Sequence, residues 1–204
     1  MTRPLPNWIT PLFCGLAAWI SAGLMAAQGA RLADGSPALP LDDSYIHLQY
    51  ASQAADGHFL QYNTGDPPTT GATSLLYMLI LAGGFRLGIS HAAMPAATLW
   101  LGVALFVMSA ALLSDLARRI APKPGQEMAG LLAGLIFASS GWMAWSFLSG
   151  METGLLILLV CASLWAMASE RRALAAIFAS LAALTRPEAL LLGAAILGID
   201  LLIC

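Results

Sequence analysis

Four stretches of this chain, residues 8–30, 92–114, 128–148 and 153–168, contain no Asp, Glu, Lys or Arg at all. A fifth, 187–203, holds only Glu188 and Asp200. A helix rises 1.5 Å per residue, so about 20 apolar residues cross the roughly 30 Å of a bilayer's hydrocarbon. Charged residues make up 10% of the chain, against about 25% in an ordinary soluble domain. An all-α, multi-pass membrane protein is the class that reconciles the two observations. A net charge of −2, with no basic stripe interleaved with aromatics, gives no argument for nucleic acid, and none is expected as a partner. Cys14, Cys161 and Cys204 lie inside apolar runs without metal-ligand spacing and read as small hydrophobes.

Arg3 followed by an apolar run ending in "MAAQGA" has the flavour of a signal peptide. The run is longer than the 7–15 residues of such a segment, so a retained first transmembrane helix over 8–30 is expected. The chain stops inside an apolar run, "GIDLLIC", which reads as the N-terminal part of a longer protein. Two further apolar stretches, 75–87 and 173–185, cover only about 20 Å each. Whether the first of these crosses sets the topology. If it lies in the interface, Arg118, Arg119, Lys123, Arg171 and Arg172 join Arg3 on the cytoplasmic side, leaving Arg31, Arg86 and Arg186 outside. The alternative inverts that ratio, so the positive-inside rule selects the interfacial reading. Residues 31–91 then form an extracytoplasmic loop with interfacial helices, and 92–114, 128–148, 153–168, 173–185 and 187–204 follow as membrane helices.

This topology gathers the scarce polar groups on one face. Asp34, Asp42, Asp43, Asp56 and Asp66 all fall in the first loop. Within that loop, 43–57 predicts an amphipathic helix, with Gln49, Ser52, Gln53 and Asp56 on one side and Ile46, Leu48, Tyr50, Ala51, Ala54 and Ala55 on the other. Gly57 ends it as a C′ glycine, and "QYNTGDPPTTGATS" follows as turn chemistry.

Three places carry candidate chemistry. Asp42 or Asp43 can N-cap the helix; a cap needs one carboxylate, and a second beside it is suited to take a proton from a hydroxyl as a general base. "SGME", Ser149–Glu152, reads as a capping box or as a carboxylate held at an outward helix end. "TRPE", Thr185–Glu188, repeats the box with Pro187 in the first turn. Its Arg186 either snorkels to the headgroups or, with a helix N-terminus, binds phosphate. His47 reads as interfacial packing, His58 as a group standing behind the site, and His91 as a boundary residue. Tyr45 and Glu188 join His58 as further substrate-contacting candidates. Asp42, Asp43 and Glu152 are the oxygen donors available should a divalent ion (Mg, Mn or Ca) take part. "GLLAG", Gly130–Gly134, is a GxxxG expected to pack helices within the chain. No P-loop, GxGxxG or HExxH is present to hold a nucleotide or zinc.

Taken together, "LDDSYIHLQYA…GHFLQYN…GATS", "SGMETGLL" and "ALTRPEALLL", in that order, resemble the N-terminal half of GT-C membrane glycosyltransferases. The likeness is to the bacterial members similar to protein mannosyltransferases, aminoarabinose transferases and mycobacterial arabinofuranosyltransferases. The resemblance covers most of residues 8–200. It implies an extracytoplasmic site at the inner membrane and a polyprenyl-phosphate sugar donor, with a glycan, lipid or protein acceptor. It also implies an Asp base at Asp42, with Asp43 one position away, a second carboxylate at Glu152 and a phosphate contact at Arg186. Relatives carry many more helices and often a C-terminal soluble domain, so weak or no activity is expected of residues 1–204 alone. Met151 stands where relatives carry Leu. The rival readings are a transporter or flippase of a lipid-linked saccharide, with charges at the bilayer midplane, and a non-catalytic assembly subunit.

Overall fold

A computed structural model describes residues 6–32 and 38–203; Arg3, Asp34 and Cys204, used above, lie outside them. The described chain is all-helical: α1 Ile9–Leu32, α2 Asp42–Ala55, α3 Leu75–Arg86, α4 Met94–Ile120, α5 Gln126–Ser139, α6 Gly141–Leu148, α7 Thr153–Ala168, α8 Arg172–Thr185 and α9 Leu190–Ile203, with a 3-10 turn, Pro187–Ala189, before α9. α1 and α4 are long and apolar enough to cross a membrane, and α5 with α6 makes a third if the bent pair is one span. α3, α7 and α8 are apolar but shorter; α7's 16 residues reach about 24 Å.

Burial in the long helices is inverted relative to a soluble protein. Leu12, Leu16, Trp19 and Leu24 of α1 and Trp100 and Met108 of α4 are exposed, while Ser109, Ser114 and Thr98 are buried. Such a surface is stable in lipid, where helices join through small and polar residues instead of by hiding leucines. α4 is the centre, packed against α1, α5, α6 and α7. The GxxxG of α5 does pack within the chain. A side chain at Gly130 would run into Arg118, and one at Gly134 would meet Cys14 Cβ at 2.6 Å and Ser114 Cβ at 3.0 Å. Phe106, Phe137 and Phe147 fill the middle, with ring centroids 5.1–6.0 Å apart.

The single helix expected over 128–148 is two. Ser140 leaves the helical region at φ −74° and ψ 108°, and its hydroxyl accepts from Met143 N–H at 3.4 Å, so it caps a new helix. The axis turns by 62°. The bend brings the Phe147 carbonyl so close to Gly102 of α4 that a Cβ there has no room. Likewise 187–203 opens as a 3-10 turn, with Pro187 in its first turn as expected.

α2 ends in a Schellman motif. Gly57 sits at φ +92°, His58 N–H reaches Gln53 O at 2.8 Å and Gly57 N–H reaches Ala54 O at 3.2 Å. α2 packs on α3, and its polar side is covered by its own loop: Gln49 donates to Tyr62 O at 2.7 Å and Thr64 donates to Gln53 at 3.1 Å. Ser52, expected on the polar side, is buried, a phase the sequence hides because a serine suits either face. Neither Asp42 nor Asp43 caps α2; Leu41 holds the N-cap position and the two aspartates form the exposed first turn.

Candidate functional site

The site is built on a turn. Ser149 closes α6 and Gly150, at φ +80°, reverses the chain before α7. Both carbonyls of this turn are gripped from the two helices of the first loop: Ser44 Oγ of α2 donates to Ser149 O at 2.6 Å, and Tyr77 Oη of α3 donates to Gly150 O at 3.0 Å. The fit is tight, since a Cβ on Gly150 would stand 2.9 Å from Ser44 Oγ and from Leu39 Cδ2. Segments distant in sequence are thereby locked around the next acidic residue.

That residue is Glu152, 2% exposed. The Ser149–Glu152 capping box does not form. Glu152 itself occupies the N-cap position of α7 and makes no side-chain cap bond, while Ser149 Oγ donates to Ser146 O at 2.9 Å. The carboxylate turns instead toward an arginine and a histidine. Arg186 Nη1 lies 3.4 Å from Oε1, and His47 Nε2 lies 3.2 Å from Oε2. The His47 approach is off the line of a hydrogen bond, so Oε2 has no aligned donor, and His47 Nδ1 is likewise buried without a partner. Burial alone would raise the Glu152 pKa. The neighbouring His47, the residue's own backbone N–H and the Arg186 charge outweigh it and hold the carboxyl below its ordinary value.

The Thr185–Glu188 capping box does not form either. Thr185 ends α8 and donates to its own helix at Leu181 O, 3.0 Å away, while Arg186 takes the extended N-cap position. Glu188 pairs with Arg186 at 3.1 Å. That bond raises the Arg186 pKa and lowers that of Glu188. The Arg186 side chain remains 42% exposed, so the guanidinium bridges the buried carboxylate and the open surface.

His47 corrects the expectation most. It is 4% exposed, on the apolar side of α2 as expected, but it faces Glu152 instead of lipid, with the Tyr77 ring edge-on at 5.8 Å. Burial first, then the Glu152 charge, push the Tyr77 hydroxyl well above its ordinary pKa, so it stays a donor. Asp43 precedes His47 by four residues and shares its face of α2, whereas Asp42 shares the face of Tyr45 and Ile46. Both aspartates are exposed. Tyr45 is half-exposed and its Oη accepts from Leu39 N–H at 3.1 Å, steadying the approach to α2. His58 stands at the far end of α2, just past Gly57 and away from Glu152 in the helix's length, with Nδ1 buried and unpartnered. His91 packs on Phe85 ahead of α4, as a boundary residue should.

Among the described residues no three or more His, Cys, Asp or Glu side chains gather as a metal-ligand set. Asp42 and Asp43 are exposed while Glu152 is buried against His47 and Arg186, so these three do not form a ready cage. Comparison with known proteins finds no match to any family model, curated protein or solved structure.

Proposed function

We infer that this chain is the N-terminal catalytic module of an inverting membrane glycosyltransferase of the GT-C kind. It would take a sugar from a polyprenyl-phosphate donor to an acceptor hydroxyl at the extracytoplasmic face of the inner membrane. The observation that carries the reading is the buried Glu152 carboxylate, bracketed by Arg186 and His47 directly beneath the helix that opens with Asp42-Asp43. The resemblance in the three motifs points the same way.

In this reading Arg186, part-exposed and anchored by Glu152 and Glu188, holds the donor phosphate through its guanidinium. The first turn of α2 supplies the base, and the helical phase favours Asp43 over Asp42 because it puts Asp43 on the Glu152 side. The aspartate takes the proton from the acceptor hydroxyl. The acceptor oxygen forms a bond to the anomeric carbon from the face opposite the phosphate. The bond from that carbon to the phosphate oxygen breaks, and the electron pair leaves on the polyprenyl phosphate. Stabilising this developing charge is electrostatic work for Arg186. Glu152 and His47 position the arginine, and Tyr45 lies on the acceptor side.

A transporter draws support from the bent α5–α6 pair, since broken helices mark transport sites. No charged residue lies at that bend, however, and the buried acid sits at a helix end. The deciding experiment incubates the intact protein in nanodiscs with candidate prenyl-phosphate sugars and acceptors, reading product by mass spectrometry. Asp43→Asn should lower transfer by about 100-fold or more with insertion unchanged, and Asp42→Asn should lower it less. Wild-type turnover in both variants would remove the base from α2. Cysteines introduced at Thr69 and Lys123 should label from opposite sides of the membrane.

A further inference from the structure

The opposite end of the molecule holds a cavity of about 580 Å³ between α1, α4 and α7. Its walls are apolar, including Met108, Leu112 and Leu158, and its rim is formed by Trp8, Asp115, Arg119 and Trp165. The rim lies within the last turn and a half of α4, the last turn of α7 and the turn opening α1. From Trp165 to Leu158 the groove runs about 10 Å along α7, and from Arg119 to Met108 about 16 Å along α4. A polar mouth at the end of a membrane helix therefore opens on an apolar chute directed toward the middle of the bilayer.

The mouth has a surplus of positive charge. Arg119 and Arg171 stand over the Trp165 ring, at 5.3 Å and 5.6 Å from its centroid. Asp115 serves only the first of these: it accepts from Arg119 Nε at 2.7 Å and from Trp165 Nε1 at 2.8 Å, and it also pairs with Arg118. Among the described residues no carboxylate bonds Arg171, and the terminal nitrogens of Arg119 make no hydrogen bond. Two guanidiniums fixed over one indole, with their outer N–H groups unused, ask for an anion with several oxygens. The apolar chute below asks that the anion carry a chain.

We propose that this groove is a binding site for one anionic phospholipid of the adjoining leaflet, its phosphate held by Arg119 and Arg171 and an acyl chain lying against Met108, Leu112 and Leu158. Basic pockets between membrane helices recognise lipid headgroups in this way, and Trp8 and Trp165 are the amphipathic rings expected at that depth. The site is separate from the Glu152 cluster and requires only that α1 and α4 lie across a membrane; it stands whether or not the chain transfers sugars.

The test is native mass spectrometry of the full chain, released from detergent with dioleoyl phosphatidylglycerol or dioleoyl phosphatidylcholine. One phosphatidylglycerol should bind saturably, about tenfold more tightly than phosphatidylcholine. Arg119→Gln with Arg171→Gln should erase that preference, and Arg171→Gln alone, on an exposed side chain, should halve it or more. Leu158→Phe, which fills the groove and leaves the charges, should weaken both lipids, whereas Arg86→Gln at the other end should change neither. Equal affinity for the two lipids, an undiminished preference in Arg171→Gln, or glycerol phosphate competing as strongly as the whole lipid would each overturn the proposal. So would a second protein chain in place of the lipid.

Discussion

Arg118 and Glu152 are both buried ions, 7% and 2% exposed, at opposite ends of the helices that hold them, and they are treated differently. All five N–H donors of Arg118 are used: Nε and Nη2 on the Glu127 carboxylate, Nη1 on Asp115 and the Asn7 carbonyl, Nη2 also on the Asn7 side chain. Glu127 is closed in turn by Thr10, which donates at 2.7 Å. Glu152 keeps one long contact to Arg186 and an oxygen with no aligned donor, beside a histidine with an idle nitrogen. A buried polar group left unfinished costs free energy on the order of 1–3 kcal/mol, and proteins keep such groups where something else completes them. The Arg118 end is a lock between α1, α4 and α5. The Glu152 end is a socket.

The sharpest way to break this contrast is to truncate an arginine at each end. Arg118→Ala empties the buried site that joins Asn7, Asp115 and Glu127, although Asp115 keeps Arg119 and Trp165 and Glu127 keeps Thr10. Losing five satisfied donors should destabilise the fold by about 3 kcal/mol, read as a large drop in the thermal midpoint in nanodiscs. Arg186→Ala removes a part-exposed partner and should cost about 1 kcal/mol or less, while weakening lipid-phosphate donor binding much more than acceptor binding. Similar stability losses for the two would dissolve the distinction.

Packing supplies a second arm. Gly134 meets Cys14 and Ser114 with no space for a side chain, so Gly134→Val should cost about 1–3 kcal/mol through overpacking. A Cβ added at Gly83 of α3 would meet nothing within 4 Å, and Gly83→Ala should be neutral or mildly stabilising, as helix propensity predicts. Thermal unfolding of the two variants checks both.

The pH dependence should also differ between wild type and Glu152→Gln. The folded-state pKa of Glu152 is depressed by His47, its own backbone and Arg186 against the opposing effect of burial. A depressed carboxyl contributes stability that is present above its unfolded pKa, about 4.3, and is lost as pH falls through the lower folded value. Wild-type protein should therefore lose stability on acidification below about pH 4.3 more steeply than Glu152→Gln. Parallel acid limbs in urea unfolding would show that the Glu152 charge is not held by the fold.

Some helix ends are legible in the amino-acid order, because charge-free runs and Gly or Pro punctuation mark where they begin and stop: 153–168 is the expectation and Thr153–Ala168 the finding, whereas 92–114 continues to Ile120 because a helix end can carry Asp115, Arg118 and Arg119 out of the apolar region. Side-chain partners are not legible in the same way. Ser149, Glu152, Thr185 and Glu188 satisfy the local spacing of two capping boxes, and in both Arg186 wins, since it is a stronger partner for a carboxylate than an amide of the first turn: across 34 residues to Glu152, and from two residues away to Glu188. His47 and Tyr77 carry no signal at all. Nothing near either in sequence announces an acid 105 or 75 residues away. The bend at Ser140 is equally hidden, because a serine inside an apolar run fits a straight span as well as a cap.

The finest division between lock and socket is a matched pair of hydroxyl deletions. Tyr77→Phe removes the bond to Gly150 O and Thr10→Val removes the bond to Glu127, each a single buried or half-buried hydrogen bond whose loss costs about 1 kcal/mol. The two should lower the thermal midpoint by similar amounts. They should part in the proposed sugar transfer. Thr10→Val leaves the Glu152 turn untouched and should keep wild-type turnover at a temperature where both variants are folded. Tyr77→Phe frees the Gly150 carbonyl, lets the turn carrying Glu152 drift, and with it the arginine that Glu152 anchors; a displacement of about 1 Å in a positioning group is enough to lower turnover on the order of 100-fold. Equal turnover in the two variants would mean that the grip on Gly150 serves the fold alone.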